Sequence, residues 1–108
     1  MLKILFLCSR NQWRSPTAEA VYRNDPRVDV QSAGVSKSAR RRVTEKLLLW
    51  AGLVLVMESA HRQRLDDEFP DSACNMWIEV LDIPDDYPFM DPELVALIRE
   101  RVEPFVED

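Results

Sequence analysis

Leu2-Lys3-Ile4-Leu5-Phe6-Leu7-Cys8-Ser9-Arg10-Asn11-Gln12-Trp13-Arg14-Ser15-Pro16 opens the chain with a near-continuous apolar run and closes on a helix-start signal. The apolar part has the character of a strand buried on both faces, as in a parallel sheet. Ser15 is a good N-cap residue, and Pro16 fits the first helical position, where its missing N–H costs nothing. Between strand and helix the chain must turn. The N–H groups of residues 9 to 14 can then curl into a nest aimed at an anion, with the helix dipole behind them. Cys8 and Arg14 bracket that turn. A cysteine thiolate is a good nucleophile near neutral pH when N–H groups, a helix N-terminus or a cation stabilise it. A guanidinium can hold two phosphate oxygens at once. Asn11 is the loop residue best suited to the left-handed backbone conformation such a curl needs. The alternative, a small buried cysteine and an unrelated surface arginine, does not account for the coincidence of strand, spacing and helix start.

Working outward, strands and helical patterns alternate. A helix follows near 15 to 24 and breaks at Asp25-Pro26; Val28 to Ser32 alternates like a short strand, and Gly34 permits a turn. Thr44 to Trp50 reads as a helix with Thr44 as cap, followed by the buried strand Leu53 to Met57. His61 to Phe69 reads as a short polar helix, Pro70-Asp71-Ser72 as a turn, and Trp77 to Leu81 as a fourth strand. Asp91-Pro92 starts an amphipathic helix with Leu94, Leu97, Ile98, Val102 and Phe105 on one face, which Pro104 should bend or end. This order implies an α/β three-layer sandwich with a four-stranded parallel sheet of flavodoxin-like topology, one domain over residues 1–108. The site then belongs at the carboxyl ends of the strands, where the loops after residues 7, 33, 57 and 81 meet.

A length of 108 residues suffices for one core, and a net charge of −5 disfavours general nucleic-acid binding. Two cysteines without a pairing pattern argue against a disulfide framework, and a single histidine argues against a zinc site. The start of the chain is too short and strand-like for a secretory segment, and no apolar stretch reaches membrane-spanning length. A cytoplasmic protein without membrane contact is expected. Trp50 and Trp77 suit a core or an interface equally, so the oligomeric state is unread.

Phosphoryl transfer to a thiolate needs an acid for the departing atom. The loop Asp82-Ile83-Pro84-Asp85-Asp86-Tyr87-Pro88-Phe89 is placed to carry it. Lys37, Arg40, Arg41 and Arg42 lie just before a helix, where their charge opposes the helix dipole, and suggest a basic rim that draws in an anionic substrate.

The Cys-x5-Arg-Ser loop after the first strand resembles the signature of the low-molecular-weight protein tyrosine phosphatases, with Cys8, Asn11, Arg14, Ser15 and Pro16 matching by position. Ser32-Ala33-Gly34, Val43-Thr44 and the strand ending in Val56-Met57 extend the resemblance. The resemblance implies Cys8 as nucleophile and Arg14 with the N–H groups of Ser9, Arg10, Asn11, Gln12 and Trp13 as the phosphate cradle. It also implies Ser15 as support for the thiolate and Asp85 as general acid, with Asp82 and Asp86 in reserve. It implies hydrolysis of a phosphorylated protein or small phosphomonoester through a phosphocysteine, with no metal or organic cofactor. Three departures stand out: the chain is short between Ser38 and Val43 and before Asp82, Arg10 replaces a usual glycine and could reach the rim, and Trp13 replaces a frequent second cysteine. An oxidised Cys8 could therefore pair only with Cys74 or an external thiol. An arsenate reductase would need two further cysteines, and a phosphocysteine relay domain need not carry the closing arginine. The alternative from another class is a noncatalytic phosphate-binding module that docks a phosphoprotein or an RNA end.

Overall fold

The computed structural model describes residues 1–107. Strand β1 (Leu2–Cys8) feeds helix α1 (Arg14–Tyr22), then β2 (Val28–Gly34), α2 (Glu45–Trp50), β3 (Leu53–Val56), α3 (Ser59–Glu68), the single turn α4 (Pro70–Ala73), β4 (Ile78–Val80) and α5 (Pro92–Val106). All pairings are parallel and the strand order is β2-β1-β3-β4. The chain leaves β1 toward β2 on one side and returns to β3 on the other, so the carboxyl end of β1 is a switch point. Register brings the strand ends together: Cys8 lies opposite Gly34, Leu7 opposite Val56, and Val56 opposite Val80.

Alternation along the strands divides the core between two faces. Ile4, Phe6, Leu53, Leu55 and Met57 join Ala18 and Tyr22 of α1 and Leu94, Ile98 and Val102 of α5. Leu5, Leu7, Val54 and Val56 face the other way, with Leu48 of α2 and Leu65 of α3. Residues 4 to 7 and 53 to 56 are fully buried, which is why both runs are apolar throughout rather than alternating.

Local expectations change at three places. Helix α1 begins at Arg14 with Trp13 as an N-cap residue that makes no side-chain cap, so Ser15 and Pro16 are the second and third helical residues. Ser15 is freed from capping because its hydroxyl is bonded toward Cys8, Asn11 and Ala33. Pro70-Asp71-Ser72 is helical instead of a turn, with Pro70 at the helix start, where proline is tolerated. Pro104 does not end α5, which runs to Val106; only one interior N–H is lost, so close to the terminus that the helix persists. Thr44 and Asp91 cap α2 and α5 through Leu47 N–H and Glu93 N–H, as their residue types suggested.

Gly34 is required for a reason other than a turn, since no glycine of the described residues has a positive φ. A Cβ at Gly34 would lie 2.6 Å from the Ser9 carbonyl oxygen and 2.7 Å from Ala39 Cβ. The Cys8 loop closes directly over this position. Gly34→Ala is therefore expected to lower unfolding free energy by about 1–3 kcal/mol, read as a lower urea midpoint with an unchanged m-value.

Candidate active site

The loop of residues 9 to 13 is shaped by where its carbonyls go. Cys8, Ser9 and Arg10 carbonyls accept from the N–H groups of Val35, Ser36 and Arg40, and the Asn11 carbonyl accepts from Arg40 Nε at 3.2 Å. In a trans peptide the N–H points opposite to the preceding C=O. The N–H groups of Ser9, Arg10, Asn11 and Gln12 are thus turned to the other side, and those of residues 9 to 14 find no acceptor among the described residues. The expected nest results. Asn11 has φ 55°, the left-handed conformation the curl needs.

A buried hydrogen-bond chain braces this loop. Asn11 Nδ2 donates to Ser15 Oγ at 2.9 Å and to Ser32 Oγ at 3.0 Å, and Ser32 passes its own proton to Glu19 Oε1 at 2.5 Å. With Asn11 as donor, Ser15 keeps one hydroxyl proton, for Cys8 Sγ at 2.9 Å or the Ala33 carbonyl at 3.2 Å. A thiolate, as the charged acceptor, would claim that proton.

Arg14 is buried, with 2% of its surface exposed, so its charge must be paired. Nη1 donates to Glu58 Oε2 at 2.6 Å and to the Ile83 carbonyl at 2.8 Å. The other edge of the guanidinium makes no hydrogen bond to a described residue; its Nε stands 3.6 Å from Asp85 Oδ1. Cys8, Ser9, Arg10, Gln12, Trp13, Arg14 and Asp85 line one cavity of about 170 Å³. Of the three acidic candidates, only Asp85 lines it. Asp82 has a left-handed backbone, and its carbonyl accepts from Arg101 at 3.2 Å. Asp86 is exposed outside the cavity.

The basic cluster is dispersed. Arg41 donates to Gln31 Oε1 at 2.6 Å and Arg42 pairs with Glu68, both occupied away from the cavity mouth. Arg40 stays beside the loop through its bond to Asn11, and Arg10 reaches the cavity lining as its position suggested. Of the expected four, only Arg40 stays beside the loop, joined there by Arg10 from the loop itself; Lys37 is exposed and does not line the cavity. Cys8 is buried and Cys74 is exposed, and both are free thiols.

Glu58 and His61 carry weight that residue-type reasoning passed over. His61 is buried, and its Nδ1 accepts from the Glu58 N–H at 3.0 Å, so the ring proton sits on Nε2 and is donated to Ser9 Oγ at 2.9 Å. The Ser9 hydroxyl proton is not used in this contact. The usable signal was position: Glu58 and His61 follow the carboxyl end of β3, where the topology rule puts functional groups.

Burial, and next the Arg14 charge, push the His61 imidazole down from 6.5 to about 4. The unfolded chain takes up this proton as pH falls through about 6.5, whereas the folded protein resists until about 4. Stability from this group is complete above the upper value and declines as pH drops through the window. His61→Gln should flatten the pH dependence of unfolding free energy between pH 6.5 and 4, by at most about 1.4 kcal/mol per pH unit; parallel wild-type and variant curves would contradict the assignment.

No protein-family profile matches the chain. It is 32% identical over 94 residues to a protein-arginine-phosphatase of Geobacillus stearothermophilus, a match covering 65% of this chain and 64% of that protein, so the matched part spans less than two thirds of the relative. The solved YwlE arginine phosphatase of Geobacillus stearothermophilus superposes with a TM-score of 0.72 at 26% identity, covering 97% of this chain and 93% of that one. A YwlE mutant with a phosphorylated active-site serine gives 0.73 at 25% identity, covering 99% and 97%. A low-molecular-weight phosphotyrosine phosphatase of Vibrio cholerae O395 has the same fold, with a TM-score of 0.81 at 20% identity and coverage of 98% and 95%. The chain thus shares the fold of these solved phosphatases along nearly its whole length, and over part of its length it is similar in sequence to a protein-arginine-phosphatase.

Proposed function

We propose that this chain is a cysteine-dependent phosphatase that hydrolyses phosphate from a phosphorylated side chain of a protein. One observation carries the reading: a thiol, a ring of N–H groups without acceptors, a guanidinium edge that makes no hydrogen bond and a carboxylate 3.6 Å from it meet in one small cavity. The Cys8 thiolate attacks phosphorus in line while the N–H groups of residues 9 to 14 and Arg14 hold the equatorial oxygens. The bond from phosphorus to the leaving atom breaks as Asp85 gives that atom its proton. Water then attacks the phosphocysteine, the P–S bond breaks, and the Asp85 carboxylate takes the water proton as phosphate departs. Ser15 donates a hydrogen bond to the thiolate each time it re-forms and keeps its proton throughout. The scheme uses no metal or organic cofactor, because the nest and Arg14 meet the phosphate charge.

The named activities of the similar proteins bring two leaving groups into question, a tyrosine phenoxide and an arginine guanidine. Both need protonation, the more basic guanidine more strongly. We assign the protein to the cytoplasm, since a free nucleophilic thiol persists in a reducing compartment. Among the described residues no helix is long and apolar enough to cross a membrane. Residues 1–108 act in this reading as one domain.

Hydrolysis of an aryl phosphate, and of phosphotyrosine and phosphoarginine peptides, tests the proposal. Wild type should turn over the aryl phosphate and at least one of the two peptides. Cys8→Ser should abolish turnover, Asp85→Asn should lower kcat by about 10²- to 10⁴-fold, and Arg14→Lys by about 10²- to 10³-fold through loss of the fork. Undiminished hydrolysis by Cys8→Ser would refute the mechanism. Tight phosphopeptide binding by the wild type without any turnover would instead establish the noncatalytic docking module.

A further inference from the structure

A groove of about 670 Å³ adjoins the catalytic cavity, and Gln12 and Trp13 line both. Its apolar lining is Trp13, Pro16, Ala20 and Phe89, and the two aromatic residues are about half exposed, at 45% and 51%. Two segments distant in sequence meet here by construction. The buried Thr17 hydroxyl donates to the Trp13 carbonyl at 2.6 Å and accepts from the Met90 N–H at 2.9 Å, clipping the segment that bears Phe89 onto the start of α1. Met90 holds a left-handed backbone to make this contact, with φ 62°. The charges lining the groove are unequal: Glu19 is engaged by Ser32, whereas Arg23 has no carboxylate partner among the described residues.

We propose that this groove is a specificity subsite for the substrate protein's own chain beside the phosphorylated residue. It takes an apolar or aromatic side chain against Trp13 and Phe89, and Arg23 favours an acidic neighbour. The inference rests on the phosphatase reading above. Continuity is the argument for this occupant: a chain whose phosphorylated side chain enters the catalytic cavity crosses Gln12 and Trp13 to reach the groove within one or two residues, at about 3.3–3.6 Å each. Half-exposed aromatic side chains beside a cavity suit transient burial by a partner side chain.

The test measures binding to Cys8→Ser protein, which removes turnover from the readout. Two peptide pairs serve as probes, one around phosphotyrosine and one around phosphoarginine, each with phenylalanine or alanine at the positions flanking the phosphorylated residue. In at least one pair the phenylalanine peptide should bind about tenfold tighter or more. Adding Phe89→Ala should bring the ratio close to one, Thr17→Val should reduce it, and Thr17→Ser, which keeps the clip, should preserve it. Arg23→Glu should weaken peptides with an acidic flank and spare neutral ones. Phe89 does not line the catalytic cavity, so Phe89→Ala alone should leave aryl phosphate turnover and melting temperature unchanged. Equal binding within both pairs, a ratio indifferent to Phe89→Ala, or failure of all peptides to bind would overturn the subsite. Failure of the wild type to hydrolyse the aryl phosphate would instead strike the catalytic reading, and the binding ratio would still decide the groove.

Discussion

A buried guanidinium must be paired, and in this chain the pairing of Arg14 joins three loops. Its Nη1 takes the Glu58 carboxylate after β3 and the Ile83 carbonyl after β4, while its own backbone begins α1 after β1. Removing either partner would leave charge stranded in a site with 2% exposure, which is far more costly than losing a surface ion pair. The residue proposed to hold phosphate therefore also fixes the relative positions of the groups around it. Hydrogen bonding along one edge holds the guanidinium in place and leaves the other without a hydrogen bond, its Nε facing Asp85 at 3.6 Å.

A second constraint acts on the opposite side of the cavity. The carbonyls of the Cys8 loop are drawn outward by the 35–40 segment, and that attraction is what turns the N–H groups inward. The segment can come so close only because Gly34 lacks a Cβ opposite Cys8. Asn11 completes the arrangement from below, with its left-handed backbone and two side-chain donors. The chemistry of the loop is thus mostly backbone chemistry, and side chains outside the cavity enforce it.

The parallel sheet was legible because strand and helix patterns alternate along the chain and both central strands are apolar on both faces, as a covered sheet requires; the order of the strands came with the structure. Cys8, Asn11 and Arg14 stood out because each belongs to a residue type with one outstanding competence for its place, whereas Asp85 shares its type with Asp82 and Asp86 and was preferred only through the resemblance; the cavity lining separates it from them. Glu58 and His61 were not, since a glutamate and a histidine at the start of a polar helix look like ordinary surface residues until β3 is seen to end beside Arg14. Ser15 misled in a related way: its residue type suits a cap, but the nearby thiol, amide and carbonyl offered its hydroxyl better partners than the helix start did. The basic run failed as a rim for lack of three-dimensional information. Consecutive arginines point in different directions, and Gln31 and Glu68 claimed two of them.

The central claim is that Cys8 carries the phosphoryl group between the two half-reactions. Rapid quench of Asp85→Asn protein with an aryl phosphate, followed by mass analysis of its peptides under conditions that preserve thiophosphate esters, addresses it directly. The account predicts one phosphoryl group per protein, on the peptide containing Cys8 and on no other. Phosphorylation of a serine or of His61 instead, or steady turnover with no covalent adduct at any time, would contradict it.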